Sequence, residues 1–487
     1  METMNLWDSL VEEALAKLKS LKLVRHLRPI HLPSDQQPKP IENEPQSNSI
    51  SDQEEAGKEV FQMFDEMQQW ERSSVEVHIA EETFQSWVCE ISTTGLGIDD
   101  KQLKEEEYNC YGEEVTANEE ESHPQQFKKR ILFSGNDYLG LRSHPTIKRA
   151  ASKAAQEHGM GPRGSALACG YTNYHRLLES CLADLKKKED CLLCPTGYAA
   201  NMALMVSIGS IASLLAVGSK PLEEDRIAIF SDALNHSSII DGICLAERQQ
   251  SVEVFIYRHC DMSHLNALFL FSMDGDFAPM VEIVKLRKKH QFLLVVDDAH
   301  GTFVCGENGG GVAEEFNCEK EVDICIGTLS KATGCYGGFI ACSKSWKLII
   351  QSRGRSFIFS TPMPVPDVVA AHAAVTVAKK ETWCRREIWK RVQDFRVLTG
   401  IPISSPIISL IVGSEEKALL ASQHLLTSGF YVIPIGPPAV PPNSCRLRVT
   451  LSAVHTMEDL KKLTTTLSQC INFKDVDIQI SNKKAKL

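Results

Sequence analysis

From residue 129 onward, apolar positions fall into short runs of strand length, separated by stretches where apolar residues recur at helical spacing. The runs at 129–134, 191–193, 227–230, 252–255, 292–296, 324–326 and 338–341 predict strands. Helical spacing covers 145–158, 175–186 and 202–208, and then a long stretch from 366 to about 398. Strands that alternate with helices build a mostly parallel sheet covered on both faces, so the pattern predicts an α/β, doubly wound large domain over 129–365. Three later runs, at 407–412, 431–434 and 447–451, predict a smaller C-terminal αβ domain over 366–475.

The first 128 residues read differently. Leu6, Leu10, Leu15, Leu18 and Leu21 predict an amphipathic N-terminal helix over 1–30, which ends in the basic patch Arg25-His26-Leu27-Arg28-Pro29. Glu2, Asp8, Glu12 and Glu13 argue against a transit peptide. Residues 31–128 form an acidic linker or insertion. Its first part, 31–57, is rich in Pro, Gln, Ser and Glu and reads as a flexible segment. Within it, 58–98 regain an apolar pattern and predict a small sub-structure.

Composition narrows the classes. Hydrophobic residues make up 43% of the 487, as in ordinary globular chains. A net charge of −11 excludes broad nucleic-acid binding. The 16 cysteines show no paired framework, and Cys191 and Cys194 have no second pair at zinc-site spacing. Reduced structural thiols and no metal are expected. No apolar run approaches the roughly 18 residues of a membrane span, so no membrane association is expected either.

Two stretches carry candidate chemistry. In Ile324-Cys325-Ile326-Gly327-Thr328-Leu329-Ser330-Lys331, an amine follows a strand end, where an open α/β sheet places its ligand crevice. In Val295-Val296-Asp297-Asp298-Ala299-His300, another strand ends in two carboxylates and a histidine. A lysine at one strand end and a carboxylate at another suit pyridoxal phosphate, which takes a Schiff-base lysine and a partner for its pyridinium nitrogen. Pro195-Thr196-Gly197-Tyr198 joins a strand to a helix, a geometry in which helix N–H groups hold phosphate. The glycines of 159–165 lack a Walker pattern and read as a backbone bend.

Five motifs carry a resemblance. They are Ser134-Gly135-Asn136-Asp137-Tyr138-Leu139-Gly140, Phe271-Ser272-Met273-Asp274-Gly275, Asp297-Asp298-Ala299-His300-Gly301, Thr328-Leu329-Ser330-Lys331 and Arg446-Leu447-Arg448-Val449-Thr450-Leu451-Ser452-Ala453. With them, roughly residues 129–470 and the N-terminal helix resemble the α-oxoamine synthases, fold-type I pyridoxal-phosphate transferases that join an amino acid to an acyl-CoA. The likeness is strongest to members that use L-alanine and pimeloyl-CoA in biotin biosynthesis, in their plant form. A sister synthase that uses glycine or serine, and an inactive splice isoform that only dimerises, are the alternatives.

The resemblance implies roles. Lys331 would bond to the cofactor's aldehyde, Asp297 would pair with its pyridine nitrogen, and His300 and Ser272 would reach its phenolic oxygen. His236 would stack on the ring. Gly197, Tyr198 and Thr328 would hold the phosphate, with Thr361 approaching from the partner subunit of a homodimer. Arg25 would face the acyl substrate's carboxylate.

The sequence departs from the family's pattern twice. Where the family has a helix end, a loop and a whole strand before Phe271, this chain has only Asn266-Ala267-Leu268-Phe269-Leu270 after Leu265. Gly436 and Ala439 stand where close relatives carry Arg and Thr linked to the substrate. The tail, 476–487, ends in Ala485-Lys486-Leu487, close to a Ser-Lys-Leu peroxisomal address read by an import receptor, with the cytosol as the alternative.

Overall fold

The computed structural model describes residues 63–95, 126–215, 222–261, 279–437 and 439–476. The expected N-terminal helix, the 31–57 segment, the shortened 266–270 segment and the terminal tripeptide lie outside the described residues.

The centre of the large domain is a four-stranded sheet in the order β3 (Asp190–Cys194), β8 (Gly338–Cys342), β7 (Ile324–Thr328), β6 (Val295–Asp297). β8 runs antiparallel to both of its neighbours, and β6 runs parallel to β7. Every residue of β7 and β8 is buried, as expected of strands covered on both faces. Cys191 and Cys194 are both buried in β3. They lie three positions apart, so they face opposite sides of the sheet and cannot share a ligand.

β4 (Ile227–Asp232) and β5 (Val252–Tyr257) form a separate parallel ladder, in register from Ile227↔Val252 to Asp232↔Tyr257. Among the described residues no strand joins β6 to β4, so they hold the sheet that the pattern predicts as one in two pieces. The helix Gly197–Leu215 spans them. Its Ala200, Ala203, Leu204 and Ile208 share a core with Leu192, Ile326 and Ile340 on one side and with Ile227, Ile229 and Val254 on the other. This helix is long and apolar enough to cross a membrane by length and composition, a test that the apolar runs alone do not meet, and its apolar side chains are mostly buried in that core. On the outer face of the second ladder, Phe230 and Phe255 stack at 4.9 Å while 36% and 39% exposed.

The expected 58–98 sub-structure belongs to the C-terminal lobe. β1 (Glu76–Ala80) pairs antiparallel with β2 (Phe127–Leu132), and β2 pairs in parallel with β10 (Phe430–Tyr431). Alternation puts Val77 and Ile79 inward. The helix Glu81–Gly95 seats Phe84 and Trp87 against Leu426, with Trp87 stacked on Tyr431 at 5.6 Å. Arg72 grips both Asp459 oxygens, at 2.7 and 3.3 Å. A second sheet, in the order β11 (Ile433–Ile435), β12 (Cys445–Thr450), β9 (Ile407–Gly413), completes the lobe.

The long helical stretch is two helices, Val365–Lys380 and Thr382–Thr399. Glu381 breaks it with φ −86° and ψ 66°. Its buried carboxylate accepts from Phe64 N–H at 2.9 Å and lies 3.1 Å from His144 Nε2, bonds that tie the N-terminal segment to the large domain.

Candidate active site

The carboxyl ends of β4, β6 and β7 meet the start of the Gly197–Leu215 helix at one edge of the sheet. Two glycines permit the approach. A Cβ on Gly338 would sit 2.4 Å from Gly197 N and from Thr196 C, and one on Gly197 would lie 3.3 Å from Thr328 Cβ. Side chains there would push the helix start away from the strand ends, and with it the unpaired N–H groups of its first turn.

Lys331 follows β7. Its Nζ is 2.9 Å from His300 Nε2. Burial pushes the amine down to about 8, with Asp297 pulling it up and Arg448 pressing it further down. Burial also holds His300 well below the usual imidazole range, and the charges of Lys331, Arg448 and His236 act the same way. The ring is therefore neutral at physiological pH.

Asp297 closes β6. Its Oδ1 accepts from Ala299 N–H at 3.1 Å and its Oδ2 from Asn201 Nδ2 at 2.8 Å. Asn201 also donates to Ser238 Oγ at 3.0 Å, and Ser238 Oγ is 2.7 Å from His236 Nδ1. His236 caps the helix Ser237–Arg248 by accepting from Ser238 N–H at 3.2 Å, which leaves its Nε2 uncommitted by this bond. Burial lowers its pKa. Its loop is held from behind: Asp232 accepts from Leu234 N–H at 2.8 Å and lies 3.0 Å from His259 Nδ1. Burial alone would lower the His259 pKa, but the Asp232 carboxylate prevails and raises it to about 10. Beneath the site, Lys186 and Asp298 form a wholly buried pair at 2.5 Å, with Thr302 at 2.8 Å, and fix the turn that carries His300.

The structure thus brings Lys331, Asp297, His300 and His236 into one electrostatic cluster, and places Gly197 and Thr328 against each other beside it. Tyr198 is exposed, and its hydroxyl bonds Asp241 at 2.7 Å. Thr328 is buried and donates to Gly337 O at 3.0 Å. Thr361 is exposed, in a surface groove of about 490 Å³ with Pro162, Pro195 and Tyr336, outside the hydrogen-bonded cluster. Arg25 and Ser272 lie outside the described residues.

The family pattern of the class I and II aminotransferases matches residues 128–467. The chain belongs to this family. It is 60% identical over 483 residues to 8-amino-7-oxononanoate synthase of Arabidopsis thaliana, covering 96% of each chain. It is 37% identical to 8-amino-7-oxononanoate synthase of Lysinibacillus sphaericus, over 70% of this chain and 89% of that one. Among solved structures, serine palmitoyltransferase of Sphingomonas wittichii matches with a TM-score of 0.63 and 29% identity, over 72% of this chain and 89% of that one.

This aminotransferase-family chain carries site residues to which the sequence reading gave no role. Arg448 on β12 reaches Asn136 Oδ1 at 3.4 Å, and Tyr138 lies 2.6 Å from His300. Asn201 supports Asp297. Arg448, Asn136 and Tyr138 sit inside motifs already noted. A signal was present in β12, where arginines alternate with the buried Leu447 and Val449. Gly436 has open room: a Cβ there would meet nothing closer than Cys445 Sγ at 3.7 Å.

These residues fit pyridoxal phosphate. A depressed amine, a carboxylate held by two donors, a neutral imidazole between them and a glycine-lined helix start are the donor set that the cofactor takes.

Proposed function

We propose that the chain is a pyridoxal-phosphate acyltransferase that condenses L-alanine with pimeloyl-CoA to give 8-amino-7-oxononanoate, CoA and CO2, as in biotin biosynthesis. The observation that carries this reading is the convergence of His300, Asp297 and Arg448 on an amine lowered to about 8. When bound, the cofactor supplies an electron sink for charge developing at the amino acid's α-carbon.

The chain's own residues do the rest. Lys331, partly neutral near physiological pH, takes the α-proton as general base. Asp297 would hold the cofactor's ring nitrogen, with Asn201 keeping that carboxylate oriented. His236 would cover the ring. Gly197 and the helix start would hold the phosphate, and Arg448 with Asn136 would offer a carboxylate a guanidinium and an amide.

The working form is a homodimer in which Thr361 serves the partner's site, of the plant type, and Ala485-Lys486-Leu487 directs it to the peroxisome through the import receptor. The divided sheet favours a second reading, an isoform inactive on its own that only dimerises. Purified protein given pimeloyl-CoA and alanine should release CoA and the expected product. Turnover with glycine or serine alone would instead assign a sister synthase. A protein without the cofactor's visible absorbance that still forms dimers would support the inactive isoform. Light scattering that finds a cofactor-bound monomer would remove the dimer.

A further inference from the structure

Tyr138 has no part in the chemistry above, yet it touches the group that faces the reactive amine. Its side chain is fully buried, with its ring edge-on to His300 at a centroid distance of 6.0 Å. The hydroxyl lies 2.6 Å from His300 Nδ1 and 3.4 Å from Asn136 Oδ1. Burial raises the phenol far above its ordinary range, so the hydroxyl keeps its proton and has one to donate.

Two arrangements are open to the pair. In one, the phenol donates to Nδ1. In the other, Nδ1–H donates to the phenol oxygen and the hydroxyl proton turns to Asn136. The second relies on a 3.4 Å bond to an oxygen that also faces Arg448 Nη2 at 3.4 Å, whereas the first uses the short contact. A neutral imidazole carries one N–H. With Nδ1 accepting, that proton sits on Nε2, which can donate across the 2.9 Å to Lys331 Nζ once the amine has lost its own proton, above about pH 8; below that, the ammonium donates to Nε2 instead.

We propose that Tyr138 is a positioning residue that fixes His300 in its Nε2–H tautomer when Lys331 is a free amine, so that the imidazole presents a donor to that amine and to whatever accepting oxygen or nitrogen takes that place in the loaded site. The part concerning the loaded site rests on the pyridoxal-phosphate reading; the tautomer itself does not. Without the phenol, Nδ1 loses its donor, and a ring with its proton on Nδ1 would turn a lone pair toward the reaction centre.

The test is nitrogen NMR on the full chain with labelled histidine, using a His300→Gln variant to assign the signals. Before pyridoxal phosphate is added, at a pH about one unit or more above the lysine's 8, wild type should show an unprotonated Nδ1 and a protonated Nε2 on His300. Tyr138→Phe, which preserves the ring, should transfer part of the population to Nδ1–H. After addition of pyridoxal phosphate, the midpoint of the visible band's pH titration should move by at least about half a pH unit in that variant. At that pH, a wild-type signal with Nδ1 protonated overturns the proposal even if the variant fails to fold. Unchanged nitrogen shifts in a folded variant overturn it as well. A chain that shows the expected tautomer but never develops the visible band would keep the role of Tyr138 and remove the cofactor.

Discussion

Lys331 Nζ and His300 Nε2 stand 2.9 Å apart in a largely dry corner, where burial discourages charge on both and the lysine's charge discourages a second one on the histidine. Burial lowers the lysine to about 8, and the histidine is held well below its usual range partly by that lysine. The site therefore keeps a base that is partly free near neutral pH beside an imidazole that does not compete for the proton.

The depressed amine has a consequence for stability before any cofactor is added. Below about pH 8 the folded and unfolded chains both hold the Lys331 proton, and the fold bears the full cost of a buried ammonium. From about 8 to the ordinary 10.5, the unfolded chain binds more protons, so stability rises with pH and then levels. Urea melts of wild type and Lys331→Met should show the variant ahead at pH 7, with the gap closing by about 1–3 kcal/mol toward pH 10.5. A gap constant across that range would mean that the lysine titrates normally.

Covalent trapping tests the same amine. Borohydride added with pyridoxal phosphate should fix the cofactor on Lys331, and Lys331→Ala should lose the adduct. Persistence of the adduct on another lysine would move the reaction centre.

Asp297→Asn should fold, since the new amide oxygen keeps the bond from Ala299 N–H and Asn201 can turn its unpartnered amide oxygen toward the new NH2, but it should lower turnover by at least about 100-fold. Turnover equal to wild type would take the pyridinium role away from Asp297.

The reactive positions were legible because each closes an apolar run: Asp297 after Val295-Val296, and Lys331 just after Ile324-Cys325-Ile326-Gly327-Thr328. Their partners were not. Tyr138 is 162 residues from His300, and Asn201 is 96 from Asp297, and periodicity does not say which distant polar atoms meet. The 292–296 run yields a strand only from Val295, because Leu293 is exposed and Leu294 N–H goes to the Asp323 side chain. Residues 202–208 are the middle of a helix that begins at Gly197 and runs to Leu215. The pairing of β1 with β2 was hidden because a helix, Glu81–Gly95, and then about thirty further residues without a clear pattern separate them.

The tail gives a prediction of location. A receptor must grip an extended terminal carboxylate, and the run Ser481-Asn482-Lys483-Lys484 before Ala485-Lys486-Leu487 is polar enough to stay in solvent. A fluorescent protein followed by the last ten residues should become punctate and coincide with a peroxisomal marker. Diffuse fluorescence, unchanged when Leu487 is removed, would place the protein elsewhere.

The two ladders lead to the strongest test of the shortened segment. β6 bonds β7 on one side, and β4 bonds β5 on one side; among the described residues neither has a partner on its other edge. Those edges carry Asp297 at the end of β6, and Asp232 at the end of β4 with His236 beyond it, so the spacing of the two ladders sets the distance between the cofactor's nitrogen partner and its ring cover. Among the described residues, Asn201 on the spanning helix joins the two sides at this level, through its bonds to Asp297 at 2.8 Å and Ser238 at 3.0 Å. A strand restored between Leu265 and Phe271, about five to six residues with its loop, would pair both edges at once. Each ladder bond made in a buried sheet satisfies backbone groups that are costly to leave open. The lengthened chain should melt several degrees higher and hold more pyridoxal phosphate after purification, whereas an equally long Gly-Ser insertion should not. If both insertions leave melting and occupancy unchanged, the two ladders are already held at their working separation by the helix alone.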